Sequence, residues 1–267
     1  MLTPTQLDSF AHDGFVLGSR LLDGDTIETL RDETLRVIAD AQHGVKRERR
    51  PVWVHNMGGP DTPVWQIVNI WEGSDAFERV VHNATLAEEV AQLLPGREVR
   101  LFHDQIQYKP AGTGGVNMWH QDSPYWPILS PKDVQLTAWL ALDDADQSNG
   151  CMGMVKGSHR WGDQIETLHR IKSWDGIPGE WNGHALEIAP CPVPAGFVHF
   201  HHPLTWHGSP ANTSGRPRRA LALHWMSDAA KFVASKRDLH PMGRFFDGND
   251  GDTVKGAHFP LVWPRSS

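Results

Sequence analysis

The chain has 267 residues, a formal net charge of −7 and an isoelectric point near 6.1. That acidity excludes a general nucleic-acid binder, which needs a basic excess to displace counterions from phosphates. Two cysteines, Cys151 and Cys191, are too few for a disulfide scaffold or a four-cysteine zinc site. No run approaches 18 apolar residues, so a helical membrane span is excluded. The start Met1-Leu2-Thr3-Pro4 lacks the basic and apolar regions of a signal peptide, so a cytoplasmic protein is expected. The 16 His and 12 Trp direct attention to metal ligands and to a pocket walled by flat aromatic surface.

Thr3-Pro4-Thr5-Gln6 predicts a helix start with a capping box, and Asp13-Gly14 predicts its end. A second helix is predicted over 25–41, with Ile27, Leu30, Thr34, Leu35 and Ile38 on one face. A third covers 86–94, closed by Pro95-Gly96. From Arg100 the pattern changes to short strands at 101–108, 117–121, 134–142, 151–155, 197–201 and 218–226. Turn clusters at 110–115, 143–150 and 212–217 separate them. Helices followed by many short strands predict a mainly β fold with flanking helices, a sandwich or barrel. Without internal repeats or low-complexity linkers, 1–267 reads as one domain. It comprises a mainly helical part (1–99), a β core (100–228) and a carboxy-terminal extension (229–267). The segment 160–189, with Trp161, Trp174 and Trp181, is long and irregular, a lid over a substrate or a surface excursion.

The segment Trp119-His120-Gln121-Asp122-Ser123-Pro124-Tyr125-Trp126 carries the chemistry. On a strand, residues two apart share a face, so His120 and Asp122 present an imidazole and a carboxylate together. A third ligand is available in Thr205-Trp206-His207-Gly208-Ser209, about 85 residues on. Two His and one carboxylate on one face of an octahedral metal leave three positions open, as in non-haem Fe(II) oxygenases. An H-x-D pair by itself is a weak signal, because chance produces many, and reads more readily as an ordinary hydrogen-bonded strand pair. The stretch after His207 adds weight to the metal reading. There Arg218, Ala220, Ala222 and His224 share one strand face, and Arg219, Leu221, Leu223 and Trp225 the other. The second set suits packing on helices. The first places an arginine beside small side chains, with room for a ligand carboxylate that a guanidinium would grip bidentately. Both arginines could instead be solvated strand-end charges, but the alternation turns Arg218 inward.

These residues resemble the phytanoyl-CoA dioxygenase family of Fe(II)/2-oxoglutarate-dependent oxygenases. The likeness rests on Asp13-Gly14-Phe15, Asp104-Gln105 through Lys109-Pro110, Trp119 through Tyr125, and Trp139-Leu140-Ala141-Leu142-Asp143. It continues in Asn149-Gly150-Cys151, Gly157-Ser158-His159, His207-Gly208-Ser209 and Arg218-Arg219-Ala220. The resemblance implies a double-stranded β-helix (jelly-roll) core, with Fe(II) held by His120, Asp122 and His207. It implies that Arg218 binds the far carboxylate of 2-oxoglutarate, with Trp139, Gln105 and Ser209 on the co-substrate wall. It also implies that O2 is consumed, 2-oxoglutarate becomes succinate and a substrate C–H is hydroxylated. Related halogenases lack the carboxylate ligand, so the retained Asp122 points to hydroxylation, desaturation or ring formation. Gly196-Phe197 departs from the Gly-Asp of many members, at a position that is no ligand.

Strand alternation agrees with this. Gln105, Gln107 and Lys109 oppose Phe102, Ile106 and Tyr108, and Gln135, Thr137 and Trp139 oppose Leu136, Leu140 and Leu142. Polar residues on an inward face, Thr137 included, suit a co-substrate pocket. His199-Phe200-His201 also aligns two imidazoles, but Thr205 and Trp206 stand where a cupin-type site wants glutamate. The pair reads as strand residues, or at most as support for the pocket. The stretch 144–150 lacks EF-hand spacing, the glycines at 112, 114 and 115 make no dinucleotide fingerprint, and Lys46–Arg50 reads as a solvated loop. No Gly-x-Ser-x-Gly elbow supports a hydrolase.

Two alternatives stand beside the oxygenase reading: a non-catalytic metal-binding jelly-roll protein and an acyl-CoA hydroxylase, the latter opposed by the acidic charge. Aromatic positions Trp53, His55, Trp65, Trp71, Tyr125, Trp126 and Trp161 suit a smaller polar or aromatic substrate. A small-molecule substrate is therefore expected, with neither nucleic acid nor membrane as partner and no oligomeric state specified.

Overall fold

The computed structural model describes residues 1–264. The first helix, α1 (Pro4–Asp13), has the complete capping box, with Thr3 accepting from the Gln6 amide and Gln6 accepting from the Thr3 amide. Gly14 ends it at φ +86, and a Cβ there would run into His159 and Thr205, so glycine is needed twice over. After β1 (Phe15–Arg20) comes α2 (Gly24–Gln42), which buries Ile27, Leu30, Thr34, Val37 and Ile38. Leu35, expected on that face, is 43% exposed instead. At 3.6 residues per turn, Val37 lies nearer the centre of the stripe defined by Ile27, Leu30 and Thr34.

Three elements that the apolar pattern did not announce follow: β2 (Trp53–Asn56), β3 (Trp65–Val68) and the single turn α3 (Ile70–Gly73). The short helix α4 (Asp75–Val81) was likewise not anticipated. The expected third helix is α5 (Ala84–Leu93), which starts two residues early because Asn83 caps it by accepting from the Leu86 amide. The β region then runs through β4 (Val99–Lys109), β5 (Asn117–His120), β6 (Leu129–Ser130), β7 (Gln135–Ala141) and β8 (Met152–Val155). Next come α6 (Ile165–Leu168), β9 (Glu180–Trp181), β10 (His184–Ala185), β11 (Ile188–Cys191) and β12 (Phe197–His201). The chain closes with β13 (His207–Ser209), β14 (Arg218–Ser227), β15 (Lys231–Phe232) and β16 (Leu261–Trp263).

Among the described residues, most of these strands build two antiparallel sheets, and β9–β10 and β6–β15 form separate two-stranded pairs. The larger has the order β1-β12-β7-β14-β4-β3-β2, with β16 also paired to β4; the smaller is β11-β8-β13-β5. Residues from both line a common interior chamber, which is the jelly-roll arrangement. The outer face of the large sheet is covered by helices: Leu140, Val198, Phe200, Leu221, Leu223 and Trp225 share one core with Ile27, Leu30, Phe77, Leu86 and Val90. Fully burying side chains of this kind stabilises by about 1.5–3 kcal/mol each, so the helices hold the sheet rigid behind the chamber. Phe102 does not share the face of Ile106 and Tyr108. A register shift between His224 and Trp225 opposite it turns Leu101 to the helices and Phe102 toward Trp126 and Phe259.

The 160–189 segment is less irregular than its sequence suggests. It holds α6, the β9–β10 hairpin and the start of β11. Trp174 stacks on Trp119 of β5 at 4.5 Å and 10°, while Trp161 and Trp181 meet Trp206 edge-on. The insertion is thereby packed against the small sheet. Cys151 and Cys191 are buried and unbridged, and no described helix is long and apolar enough to cross a membrane.

Candidate metal centre and co-substrate chamber

Pairing of β13 with β5 sets His207 directly opposite His120, and their rings approach to 4.1 Å between centroids. Asp122 joins them from outside the strand. The expected strand 117–121 ends at His120, and Asp122 has helical backbone angles, φ −76 and ψ −55, at the start of a turn. Its carboxylate reaches the histidines because the Asp122 and Ser123 amides donate to Pro203 O, which pins the turn. The three side chains offer ligand atoms all within 4.8 Å of one another.

Hydrogen bonding fixes which atoms face the centre. His120 Nδ1 donates to Met118 O at 2.7 Å, and His207 Nδ1 donates to Thr205 O at 2.9 Å. A carbonyl only accepts, so each Nδ1 carries a proton, and each Nε2 is the atom turned to the centre. Asp122 Oδ2 accepts from Thr137 Oγ1 at 2.5 Å and from His201 Nε2 at 2.9 Å. Oδ1 is left toward the histidines, 3.7 Å from His120 Nε2 and 3.5 Å from His207 Nε2. Burial works to raise the Asp122 carboxyl, but the His207 charge and the His201 and His207 hydrogen bonds outweigh it and hold it well below its usual value. Burial lowers His120 to about 3, so its imidazole is neutral. Two imidazole Nε2 atoms and one ionised oxygen converging on a point are a donor set that fits a divalent transition metal.

Beside this centre lies a chamber of about 50 Å³. Arg218 lies within it, buried, and its nearest hydrogen-bond partner is Ser209 Oγ at 3.3 Å. Its Nε has no partner among the described residues, and no carboxylate lies within ion-pair distance. Burial pulls the guanidinium down to about 10, which still leaves it charged at neutral pH. Trp139 lies under it, 5.4 Å from ring centroid to guanidinium carbon. A buried cation on an aromatic plate with unspent donors fits a carboxylate of the 2-oxoglutarate type. Gln105 also lines the chamber. Its Oε1 is taken by Gln66 Nε2 at 2.6 Å, so its own amide donors are what it can offer.

All eight residues singled out by sequence, His120, Asp122, His207, Arg218, Trp139, Gln105, Ser209 and Thr137, line this one chamber. His201 does more than serve as a strand residue, since it holds Asp122, whereas His199 packs against Phe15. Lys109 was seen only as an inward-facing position. It is fully buried, and Nζ donates to Ser209 Oγ at 2.6 Å, Pro210 O at 2.7 Å and Ser209 O at 3.2 Å. Burial, and then the Arg218 charge, push Lys109 well below its usual value. His224 was also only an alternation position. Thr137 spends its hydroxyl proton on Asp122, so it must accept from His224 Nδ1 at 2.9 Å. Alternation on β4, β12 and β14 carried the signal for each of these residues.

Beyond His120 and Asp122 the chamber opens into a cavity of about 900 Å³. Of the aromatic positions noted in the sequence, Trp53, Tyr125 and Trp126 line it. Trp65 packs on the helix-side core, Trp71 belongs to that core, Trp161 faces Trp206, and His55 stacks on Trp53.

Sequence comparison matches residues 10–220 to the family described as phytanoyl-CoA dioxygenase. Among curated proteins, ectoine dioxygenase of Halomonas elongata is 28% identical over 253 residues, covering 89% of this chain and 71% of that enzyme. A probable alpha-ketoglutarate-dependent hypophosphite dioxygenase of Stutzerimonas stutzeri is 31% identical over 158 residues, 56% of this chain. The match spans about half the length of that relative, 52%. Among solved structures, SnoK, a non-heme alpha ketoglutarate dependent carbocyclase from nogalamycin biosynthesis, superposes with a TM-score of 0.75 at 26% identity. That match covers 98% of this chain and 96% of SnoK.

Proposed function

The chain belongs to the phytanoyl-CoA dioxygenase family, and from that premise we propose that it is an Fe(II)/2-oxoglutarate-dependent oxygenase hydroxylating a C–H bond of a small molecule. The observation that carries the reading is the pairing, in one chamber, of the His120–Asp122–His207 donor set with the unspent guanidinium of Arg218. A non-catalytic binding protein has no use for both.

In this reading His120 Nε2, His207 Nε2 and Asp122 Oδ1 hold the iron. When bound, iron and 2-oxoglutarate supply the oxidising power, with O2 consumed and 2-oxoglutarate converted to succinate and CO2. The chain's own groups position and shield. Thr137 and His201 keep Asp122 Oδ2 occupied, so the carboxylate presents one oxygen in a fixed direction. Arg218 and Ser209 receive the far carboxylate, Trp139 supplies a flat wall, and Gln105 offers N–H donors to the co-substrate. Lys109 fixes Ser209 from behind through its hydroxyl and carbonyl. The helix-backed large sheet keeps water from the far side of the chamber. Ring closure is a second outcome for the same machinery, favoured by the full-length likeness to a carbocyclase.

Anaerobic titration of the metal-free protein with Fe(II) and 2-oxoglutarate tests the assignment through the weak visible absorption of the chelate. The band is expected in the wild type and absent in Asp122→Ala, which should also lose iron-dependent succinate release. Iron binding without the band, or a fully active Asp122→Ala, overturns the proposal.

A further inference from the structure

The outer cavity is large, aromatic at its mouth and almost uncharged. Among the described residues, its lining holds a single carboxylate, Asp122, assigned to the metal, and a single lysine, Lys172, with no arginine. Lys172 donates to His169 O at 2.6 Å, so one of its donors is already used. The imidazoles at the metal end add no charge: burial lowers His103 to about 3 and His240 to about 4. A polyanion such as a CoA thioester would need a cluster of cations, whereas the lining offers only Lys172. At about 900 Å³ the cavity also far exceeds what a small zwitterion fills, and matches a drug-sized ligand.

Flat surface is concentrated where such a ligand would enter. Trp53 is 48% exposed on β2 and is braced by His55, stacked at 5.0 Å and 13°. Tyr125, also 48% exposed, is tied to the 160–189 insertion by its hydroxyl, 2.8 Å from His169 Nε2. Trp126 lines the cavity from within, edge-on to His103. Half-exposed aromatic rings, braced but not buried, retain stacking surface for a ligand. Met57 and Met118 line the gaps with adaptable side chains.

We propose that the substrate is a bulky, uncharged molecule with a flat fused-ring system, stacked by Trp53 and Tyr125 at the mouth, with the edge of Trp126 forming part of the inner wall. This substrate class rests on the oxygenase reading of the adjoining centre. The ring system spans from the mouth toward His120, and the three aromatic residues decide which edge faces the metal.

Fluorescence anisotropy of 9-anthracenemethanol, an uncharged three-ring alcohol, tests this with the full chain loaded anaerobically with Fe(II) and 2-oxoglutarate. Anisotropy should rise saturably. Trp53→Ala and Tyr125→Ala, both at half-exposed positions, should each weaken binding about fivefold. Octanoyl-CoA should not displace the probe. Absence of saturable binding, unchanged affinity in both variants, or displacement by octanoyl-CoA overturns the proposal. Circular dichroism confirms that each variant is folded. The chelate absorption of the same samples reads the oxygenase assignment separately. A normal band without anthracene binding removes only the substrate class, whereas anthracene binding without the band removes only the oxygenase reading.

Discussion

Arg218 and Arg219 are neighbours on β14, yet they live in opposite chemical worlds. Arg219 points to the helix side and is satisfied within the fold: its Nε and Nη2 donate to Asp143 at 2.8 and 2.9 Å. Arg218 points between the sheets, lies on Trp139 and has no carboxylate partner among the described residues. The same division runs along the whole strand, with Leu221, Leu223 and Trp225 packed on helices while Ala222 and His224 line the chamber. A fold tolerates a buried cation without a counter-ion when a ligand brings one, since an unmade charged hydrogen bond is costly. The contrast therefore separates groups that serve the fold from groups kept for a ligand.

The largest expected effect compares the two arginines directly. Arg218→Ala should weaken 2-oxoglutarate binding by about 2–5 kcal/mol, read by calorimetry on the Fe(II)-loaded protein. Arg219→Ala should leave that affinity unchanged and cost about 1 kcal/mol of stability in urea. The reverse pattern would break the comparison. Thr137→Val tests the next layer: losing the hydroxyl on Asp122 Oδ2 should lower iron affinity about 10–100-fold with little loss of fold. An unchanged iron affinity would assign Thr137 to packing alone.

A smaller effect comes from buried imidazoles. Burial lowers His103 and His199 to about 3 from the ordinary 6.5, so between those values the unfolded chain binds protons that the folded chain refuses. Stability should therefore fall as pH drops below 6.5, by about 1.4 kcal/mol per pH unit for each such histidine. His103→Phe should flatten the metal-free protein's stability curve over pH 4–6 by about one such contribution, and an unaltered slope would contradict the neutral ring. The smallest effect is on α2, where Leu35→Lys should change stability by no more than about 0.5 kcal/mol because the side chain faces solvent. Val37→Ala on the buried stripe should cost measurably more in the same urea titration.

Much of the site was legible because its signals are local. The two-residue period of a strand put Arg218 and Arg219 on opposite faces and aligned Gln105, Thr137 and Trp139 with the chamber. The α1 capping box and the stop at Gly14 are likewise contacts between near neighbours. Where a local rule failed, a non-local contact had intervened. The β-bulge opposite Phe102 flipped its face, and Pro203 O drew Asp122 out of the strand its sequence suggested. Strands β1 and β3 were missed because they are defined by partners, β12 and β4, far along the chain.

By itself, then, the sequence determined the kinds of group present, their order, and which side of each strand they occupy, because backbone geometry enforces those periods over a few residues. Only the tertiary structure decided that His207 pairs opposite His120, that His201 and Thr137 turn Asp122 Oδ1 toward them, and that Lys109 closes on Ser209. Those arrangements depend on pairings across tens to a hundred residues, which the packing of two sheets sets and no local period encodes.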